Sequence, residues 1–503
     1  MLFVLALAIY AVQAIGWPLG GGRDLDEYLY AYIQFLDWHP LLPWSMLFRT
    51  PVTPIVAGAS LDVAGGFFAE PLLAVLFAGS VVAWAAAARA FGARAALLVA
   101  VAVLVYPAYG LIFHELSSEP VFAAAFAGWA LLVTRAAQRP SVRRFAFVGL
   151  GVALLALVRP GNAVLLAFLV FPFVLPGAWR GRAAWAGAFV AAAVLPLAAW
   201  AVLNGARFGD YTLARGGNAV IPFYRAFITD RIVSPDNGPA SRRLADAVER
   251  HLLTRDPYKS YGVTLHDVFS SGSFRIHEDL YVLSDEVFGW DSNYFVLRKA
   301  GVEAVRAHPG KYASGVAETI WQQLSKSYFR TPPAGNAKAR SPTEANGLPA
   351  PTEGEPIPAG QNLWILRPDD SIRDVWTSAT HHHFVFRDPR QKPRFDQILR
   401  ERDELFAALP DRRPNGQLLL RFNQLSRWFP RSILWIALGL VALLLRRPRG
   451  WRTLTAISLS ALVVIVLNAL GLFADPRFAL PVAPAFVFFG ACALVGARTA
   501  AVP

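Results

Sequence analysis

Ten runs of mostly apolar residues divide this 503-residue chain, and they constrain its fold more than any motif does. A helix rises about 1.5 Å per residue and must cross a hydrocarbon layer of about 30 Å, so a spanning segment needs about 20 apolar residues. The runs fall at roughly 2–18, 69–88, 95–113, 119–135, 145–159, 162–177, 183–203, 431–446, 453–473 and 479–497. The fifth and sixth are short. They are read either as two full spans in a thin or tilted arrangement or as a re-entrant pair. The first run, Met1 to Gly16, has no basic residues before it and no clear Ala-x-Ala cleavage site. That pattern predicts a retained first helix rather than a cleaved signal peptide.

The connections between runs alternate in charge. One set holds Arg89 and Arg94, then Arg135, Arg139, Arg143 and Arg144, then Arg180 and Arg182, then Arg446, Arg447, Arg449 and Arg452, and finally Arg498. The other holds Asp24, Asp26, Glu27, Glu115, Glu119, Asp475 and one long stretch of soluble composition. The positive-inside rule makes the arginine set cytoplasmic and turns the acidic set outward. The net charge of +13 is therefore explained by membrane topology, and a nucleic-acid partner is rejected. Only 17% of the residues are charged, against about 25% in an ordinary soluble protein. The single cysteine, Cys492, lies in the last apolar run and can form no internal disulfide. Arginine far outnumbers lysine and alanine is abundant, a bias that suggests a GC-rich bacterial genome. The expected location is thus a bacterial cytoplasmic membrane, with the acidic loops on its outer face.

These features predict a mostly α polytopic fold of about ten transmembrane helices. Residues 1–203 form an N-terminal transmembrane module with a long first outer loop at 19–68, and 431–503 hold the C-terminal transmembrane helices. Between the seventh and eighth spans, 204–430 form a mixed, extracytoplasmic soluble segment. Its first part, 204–330, has helix-like apolar spacing broken by turn signals such as Pro235-Asp236-Asn237-Gly238. Residues 331–362 are rich in Pro, Ala, Gly, Asn, Thr and Glu and read as a flexible linker. The remainder, 363–430, is mixed and ends at Trp428-Phe429-Pro430, at the membrane interface.

The candidate chemistry gathers in the outer loops. The first opens Gly20-Gly21-Gly22-Arg23-Asp24-Leu25-Asp26-Glu27-Tyr28 and runs through aromatic residues to Arg49-Thr50-Pro51, a composition suited to a helix lying in the interface. Its acids are placed to meet a lipid-linked substrate, or else form a solvated loop that merely obeys topology. In the second loop, Phe113-His114-Glu115-Leu116-Ser117-Ser118-Glu119-Pro120, Glu119 opens a span. A charge so close to lipid is costly and tends to be paired or functional. It also suits the N-terminal end of a helix, where acids are favoured and Pro120 fits the first turn. His114 reads as an interfacial histidine. Arg159 and Arg477 stand at outer span ends against the charge rule. A guanidinium there forks onto phosphate oxygens, or pairs with outer-loop acids, which for Arg477 include Asp475. His381-His382-His383 lacks a second ligand cluster and is given no function. Asp24-Leu25-Asp26 matches the loose Asp-x-Asp pattern of metal-dependent sugar transferases, a pattern common by chance. No phosphate-cradling glycine loop occurs, which argues against a cytoplasmic nucleotide-sugar donor.

The order of these elements resembles a known family. A first span, a long outer loop with Asp26-Glu27-Tyr28, Ser118-Glu119-Pro120 opening the fourth span, and Arg159-Pro160 after a short fifth span look like the GT-C membrane glycosyltransferases. The branch that the sequence resembles most holds the protein O-mannosyltransferases and lipid A aminoarabinose transferases. Pro476-Arg477-Phe478-Ala479-Leu480-Pro481 is similar to an Arg-Tyr-x-x-Pro element before the last span in that branch. The likeness covers about the first 220 and last 70 residues. It departs from the family at the soluble segment, which many relatives carry after their last span.

The resemblance implies a transferase that takes a sugar from a polyprenyl phosphate to a glycan, protein or lipid acceptor outside the cytoplasm. The catalytic acid carries over to Asp26, with Asp24 or Glu27 as alternates, and a second acid to Glu119, less securely to Glu115. The expected scheme has Asp26 as general base, Glu119 orienting acceptor or base, and Arg159 and Arg477 holding phosphate, with Arg49 a further candidate. His114 and Glu115 complete the expected substrate-binding residues. No cofactor is indicated beyond the polyprenyl-phosphate sugar as donor substrate; no metal ligands are assigned, and a divalent metal stays open. Two other classes compete: a transporter or flippase of lipid-linked sugars, and a non-catalytic envelope scaffold. A transporter predicts charged mid-span residues or helices broken at the bilayer centre, and these spans are nearly free of such charges.

Overall fold

The computed structural model describes residues 1–255, 258–329, 363–376 and 382–496. The described chain is mostly helical and contains six helices long and apolar enough to cross a membrane: Ala69–Phe91, Ser118–Gln138, Trp179–Phe208, Gly416–Arg446, Trp451–Gly471 and Pro476–Val495. Ala93–Leu104 and Pro107–His114, bent by 60°, make a seventh if they act as one broken span. By length and composition six or seven of the ten expected spans are matched, and the runs outside that count differ locally. The first run folds as a helix of only 15 residues, Leu2–Gly16, and the fifth as one of 17, Val142–Val158. The sixth is not an α-helix over most of its length: Pro160–Val170 is a 3-10 helix, followed by a single α-turn, Phe171–Val174. Because a 3-10 helix rises about 2 Å per residue, this short run still covers roughly 28 Å.

The helices pack into one core rich in Ala, Val, Leu and Phe, with Trp84 and Trp129 enclosed. The last helix is the central one, buried throughout Ala483–Ala493. Arginines from the expected cytoplasmic set serve the carbonyls left open at helix ends. Arg144 donates to the carbonyls of Arg135 and Arg139 at 3.1 and 2.8 Å, Arg182 to Phe173 at 3.2 Å, and Arg452 to Val174 at 2.7 Å.

The segment after the Trp179 helix begins where Gly209 adopts a left-handed φ of 75° and stops that helix. It builds its own apolar core from Ala219, Phe223, Phe227, Leu244, Val248, Leu280, Leu297 and their neighbours. The turn expected at Pro235-Asp236-Asn237-Gly238 is a 3-10 turn, Pro235–Asn237, capped by the Ser234 hydroxyl. Farther on, an antiparallel sheet of Leu363–Ile365, Ile372–Trp376 and His382–Phe386 pairs Ile372 with Phe386 and Val375 with His383. Helix Lys392–Ala407 covers it, packing Phe395 and Ile398 with Ile372 and with Leu42 of the first loop. The linker expected at 331–362 lies outside the described residues, as do His381 and Arg498.

Two buried arginines fasten this segment to the rest of the chain, one to a membrane helix and one to the first loop. Arg225 forks onto Asp230 at 2.9 and 3.0 Å and donates to Thr319 and to the carbonyls of Ala469 and Leu472, at the end of the Trp451 helix. Arg215 pairs with Asp285, while its backbone N–H donates to the Leu47 carbonyl at 2.6 Å. One clamp thus lies three residues before Asp475 and the other two residues before Arg49.

Candidate functional site

The predicted residues stand at helix ends, several beside a proline that sets the break. Proline disfavours helical backbone in the residue before it. Arg159, before Pro160, is extended (φ −145°, ψ 118°), so the Val142 helix stops there and the guanidinium projects from its end. Pro476 opens a 3-10 turn whose cap is Asp475, accepting from the Arg477 N–H at 2.9 Å. Glu119 lies in the first turn of the Ser118 helix beside Pro120, where the helix dipole favours a negative charge.

These three charges converge. Arg159 meets Glu119 Oε1 at 2.8 Å and donates through Nε to the Ser118 hydroxyl, also at 2.8 Å. Arg477 approaches the same Glu119 oxygen at 3.9 Å and Asp475 at 3.7 Å. Glu119 is only 6% exposed, so both guanidinium groups lean on a carboxylate almost removed from solvent. Both sequence alternatives for Glu119, helix-end acid and paired charge, hold together. The arginines pair with acids while remaining 21% and 17% exposed at their side chains, accessible to a ligand.

The first loop forms a second cluster. Its acids occupy the start of a short helix, Leu25–Ile33, entered through Asp24 in a left-handed conformation. Arg49 pairs with Glu27 and reaches Asp24 at 3.3 Å; Arg23 approaches Asp24 at 3.5 Å. Burial pushes the Glu27 carboxyl up against the pull of Arg49, and the charges of Asp24 and Asp26 add to the rise. Asp26 differs from both neighbours: it is exposed and makes no ion pair with any described residue.

Two features join the clusters. Gly20 and Gly21 pair in parallel with Glu115 and Leu116, and Gly22 N–H donates to the Leu116 carbonyl at 3.2 Å. A side chain at Gly22 would bring its Cβ within 2.6 Å of Ser117 Cβ, so only glycine allows this approach. Thr53 donates to the Val158 carbonyl at 3.2 Å, holding the loop against the residue before Arg159. Beside them Tyr28 is buried, with the Arg49 guanidinium 5.6 Å from its ring.

Glu115 serves through its backbone in this ladder. His114 is fully buried and stacks on the Tyr10 ring with centroids 4.1 Å apart, within the core below the acidic loops. From sequence Ser118, like Ser117, reads only as a possible helix cap; that its hydroxyl accepts from Arg159 carries no sequence signal. Arg23 and Tyr28 stand in the quoted first-loop run without an assigned role. Among the described residues no cluster of three or more His, Cys, Asp or Glu side chains is arranged to hold a metal ion. Asp24 and Asp26 illustrate why: one is drawn to Arg49 and Arg23 while the other is turned to solvent.

No family model and no curated protein matches the chain. Among solved structures it is similar to ArnT from Cupriavidus metallidurans bound to undecaprenyl phosphate, with 15% identity and a TM-score of 0.34 over 98% of this chain and 77% of ArnT. It is also similar to the oligosaccharyltransferase AglB from Archaeoglobus fulgidus in complex with an inhibitory peptide and a dolichol-phosphate, with 12% identity and a TM-score of 0.41. That likeness covers 98% of this chain and 49% of AglB, so the chain spans about half the AglB length.

Proposed function

We propose that the chain is an inverting glycosyltransferase moving a sugar from a polyprenyl-phosphate donor to an acceptor hydroxyl on the outer face of a bacterial cytoplasmic membrane. The observation that carries this reading is the convergence of Arg159 and Arg477 on one buried carboxylate, joined through the Gly20–Gly21 ladder to the acids of the first loop. A phosphate arriving at this site offers the two guanidinium groups more oxygen acceptors than Glu119 alone. In the reaction the acceptor oxygen attacks the anomeric carbon and passes its proton to Asp26. The bond from that carbon to the phosphate oxygen breaks, its electron pair stays with the phosphate, and polyprenyl phosphate leaves. Arg159 and Arg477 stabilise the charge that develops on it. Attack from the face opposite the phosphate inverts the anomeric centre. Asp24 and Glu27, held by Arg49, form the frame that fixes the helix carrying Asp26.

The test is transfer from a panel of radiolabelled polyprenyl-phosphate sugars in membranes, comparing wild type with Asp26→Asn. Transfer that vanishes in the variant supports reaction and base together. Full transfer by the variant removes Asp26 from the role, and release of polyprenyl phosphate from no donor by folded wild type removes the transferase reading.

A further inference from the structure

Two helices of the soluble segment, Pro239–Ala247 and Phe295–Ala307, pack together and line a cleft of about 690 Å³. Four of the lining side chains are cations: Arg243 from the first helix, and Arg298, Lys299 and Arg306 from the second. All four are exposed, and none forms an ion pair with a described residue. Neutral groups hold three of them in place. The Arg243 guanidinium lies 4.8 Å from the Phe288 ring centroid and Lys299 Nζ 4.5 Å from that of Phe295, while Arg298 donates to the Asn218 side-chain oxygen at 3.2 Å. Glu303, the carboxylate in the lining, is already engaged. It accepts from the Ala240 and Ser241 N–H groups at 3.0 and 2.8 Å and from the Ser241 hydroxyl at 2.8 Å. Its charge thus offsets the positive end of the Pro239 helix, and the cleft keeps an excess of cations.

The direction and spacing of this face select its ligand. The Phe295 helix rests on Phe223 through Gly301, where a Cβ would lie 2.8 Å from the Phe223 backbone. Ile221, two residues away, rests in turn on Gly471, the last residue of the Trp451 helix, where a Cβ would lie 2.8 Å from its side chain. At about 100° per residue, Phe295, Lys299 and Arg306 stand roughly 120–160° around the helix from Gly301. The basic face is therefore turned away from the end of the membrane helix, which suits a soluble anion better than a lipid headgroup. Lys299 and Arg306 are seven residues apart, about two turns or roughly 10 Å. A chain of charged units spans that distance and a single small anion does not. Phe295, 47% exposed in the cleft, adds apolar surface for the face of a sugar ring. We propose that this cleft binds an anionic glycan chain bearing phosphate or carboxylate groups, with Arg243, Arg298 and Arg306 forking onto its oxygens and Lys299 pairing as a point charge. The site lies outside the transfer machinery and does not depend on the transfer reading, since it is read by binding alone.

The experiment titrates the full chain, in phosphatidylcholine nanodiscs, with a phosphomannan oligosaccharide, an oligogalacturonate and an unsubstituted mannan oligosaccharide. Wild type should bind at least one anionic probe and not the neutral one, and the two anionic probes distinguish phosphate from carboxylate. Affinity should fall about 10-fold between about 50 and about 200 mM NaCl. Lys299→Glu/Arg306→Glu should weaken binding by at least about 10-fold with the unfolding midpoint unchanged, and Lys299→Gln/Arg306→Gln by less. Arg242→Glu/Arg250→Glu, which changes two exposed arginines outside the cleft, should bind as wild type does. Equal loss in both charge-reversed pairs would make the binding a general effect of net charge and overturn the site. Undiminished binding in Lys299→Glu/Arg306→Glu, no binding of either anionic probe, or equal binding of the neutral probe also overturns it. If phosphatidylglycerol in the nanodiscs displaces the glycan from wild type, the occupant is a lipid headgroup and the glycan assignment falls.

Discussion

Arg159 and Glu119 meet at 2.8 Å across two separate helices, and the same guanidinium donates to the Ser118 hydroxyl beside that carboxylate. The fork is already aimed before any ligand arrives. A lysine keeps the charge but presents one ammonium where the guanidinium reaches two partners. Arg159→Lys should lower donor turnover about 100-fold and Arg159→Ala about 1,000-fold, as losses of groups that stabilise developing charge do. Single-turnover rates at saturating donor check this; equal rates for wild type and Arg159→Ala would remove the arginine from the phosphate role.

Asp26 is exposed and makes no ion pair among the described residues, whereas Asp24 and Glu27 are held by Arg49. Its replacement by asparagine should leave the melting temperature unchanged while lowering transfer by about 100- to 10,000-fold, the range for loss of a general base. Glu27→Gln should behave in the opposite sense, destabilising the loop by weakening the Arg49 pair. Thermal unfolding and transfer measured on the same preparations distinguish the two.

Much of this site was legible because it breaks a rule. Arg159 and Arg477 lie at the acidic end of spans, and a charge against the topology draws attention from sequence alone. The prolines beside Glu119, Arg159 and Arg477 also fix where the helices break. The Arg225 clamp offered no such signal: it depends on hydrogen bonds to Ala469 and Leu472, more than 200 residues away in sequence. The parallel pairing of Gly20–Gly21 with Glu115–Leu116 was equally hidden, since two residues carry no strand periodicity. The sixth run differs from a regular span in helix type, for a geometric reason. Hydropathy does not distinguish a 3-10 helix from an α-helix, and Pro160 starts the tighter one.

Gly22 gives that hidden ladder a direct test. A Cβ there would lie 2.6 Å from Ser117 Cβ and 3.0 Å from the Leu116 carbonyl oxygen, both on the opposing loop. Gly22→Val should push the loops apart, separating Asp26 from Glu119, and cost about 1–3 kcal/mol of stability through overpacking. Transfer should fall more than donor binding does, because the phosphate arginines belong to the other side of the gap. A variant with normal transfer would show that the ladder is dispensable.

Arg225, held by Asp230 and Thr319 in the soluble segment, joins that segment to the Trp451 helix through the carbonyls of Ala469 and Leu472, and its guanidinium is buried. Removing one partner of a buried pair leaves an uncompensated charge, at a cost of about 3–5 kcal/mol. Arg225→Ala should lower the unfolding midpoint accordingly, and Arg225→Lys should rescue little of it. Since Leu472 leads into Asp475 and Arg477, the loosened joint should also raise donor KM. A drop in stability without any change in donor KM would confine the clamp to a structural role.

Asp279 sets a pH dependence whose sign can be stated. Burial raises its carboxyl from an ordinary 3.8 to about 6, with Arg275 and the Tyr258 hydroxyl pulling the other way. The folded chain therefore holds this proton more tightly than the unfolded chain, and stability falls as pH rises from about 4 to about 6, levelling off above. Two pKa units correspond to roughly 3 kcal/mol at most. Asp279→Asn still accepts from Tyr258 but carries no charge to desolvate, so its stability should lack this decline. Denaturation of both proteins at pH 4, 6 and 8 in the same detergent checks the effect. The variant should be relatively more stable at pH 8, with the gap narrowing toward pH 4; a constant offset would mean that Asp279 is ionised in the folded chain throughout the range.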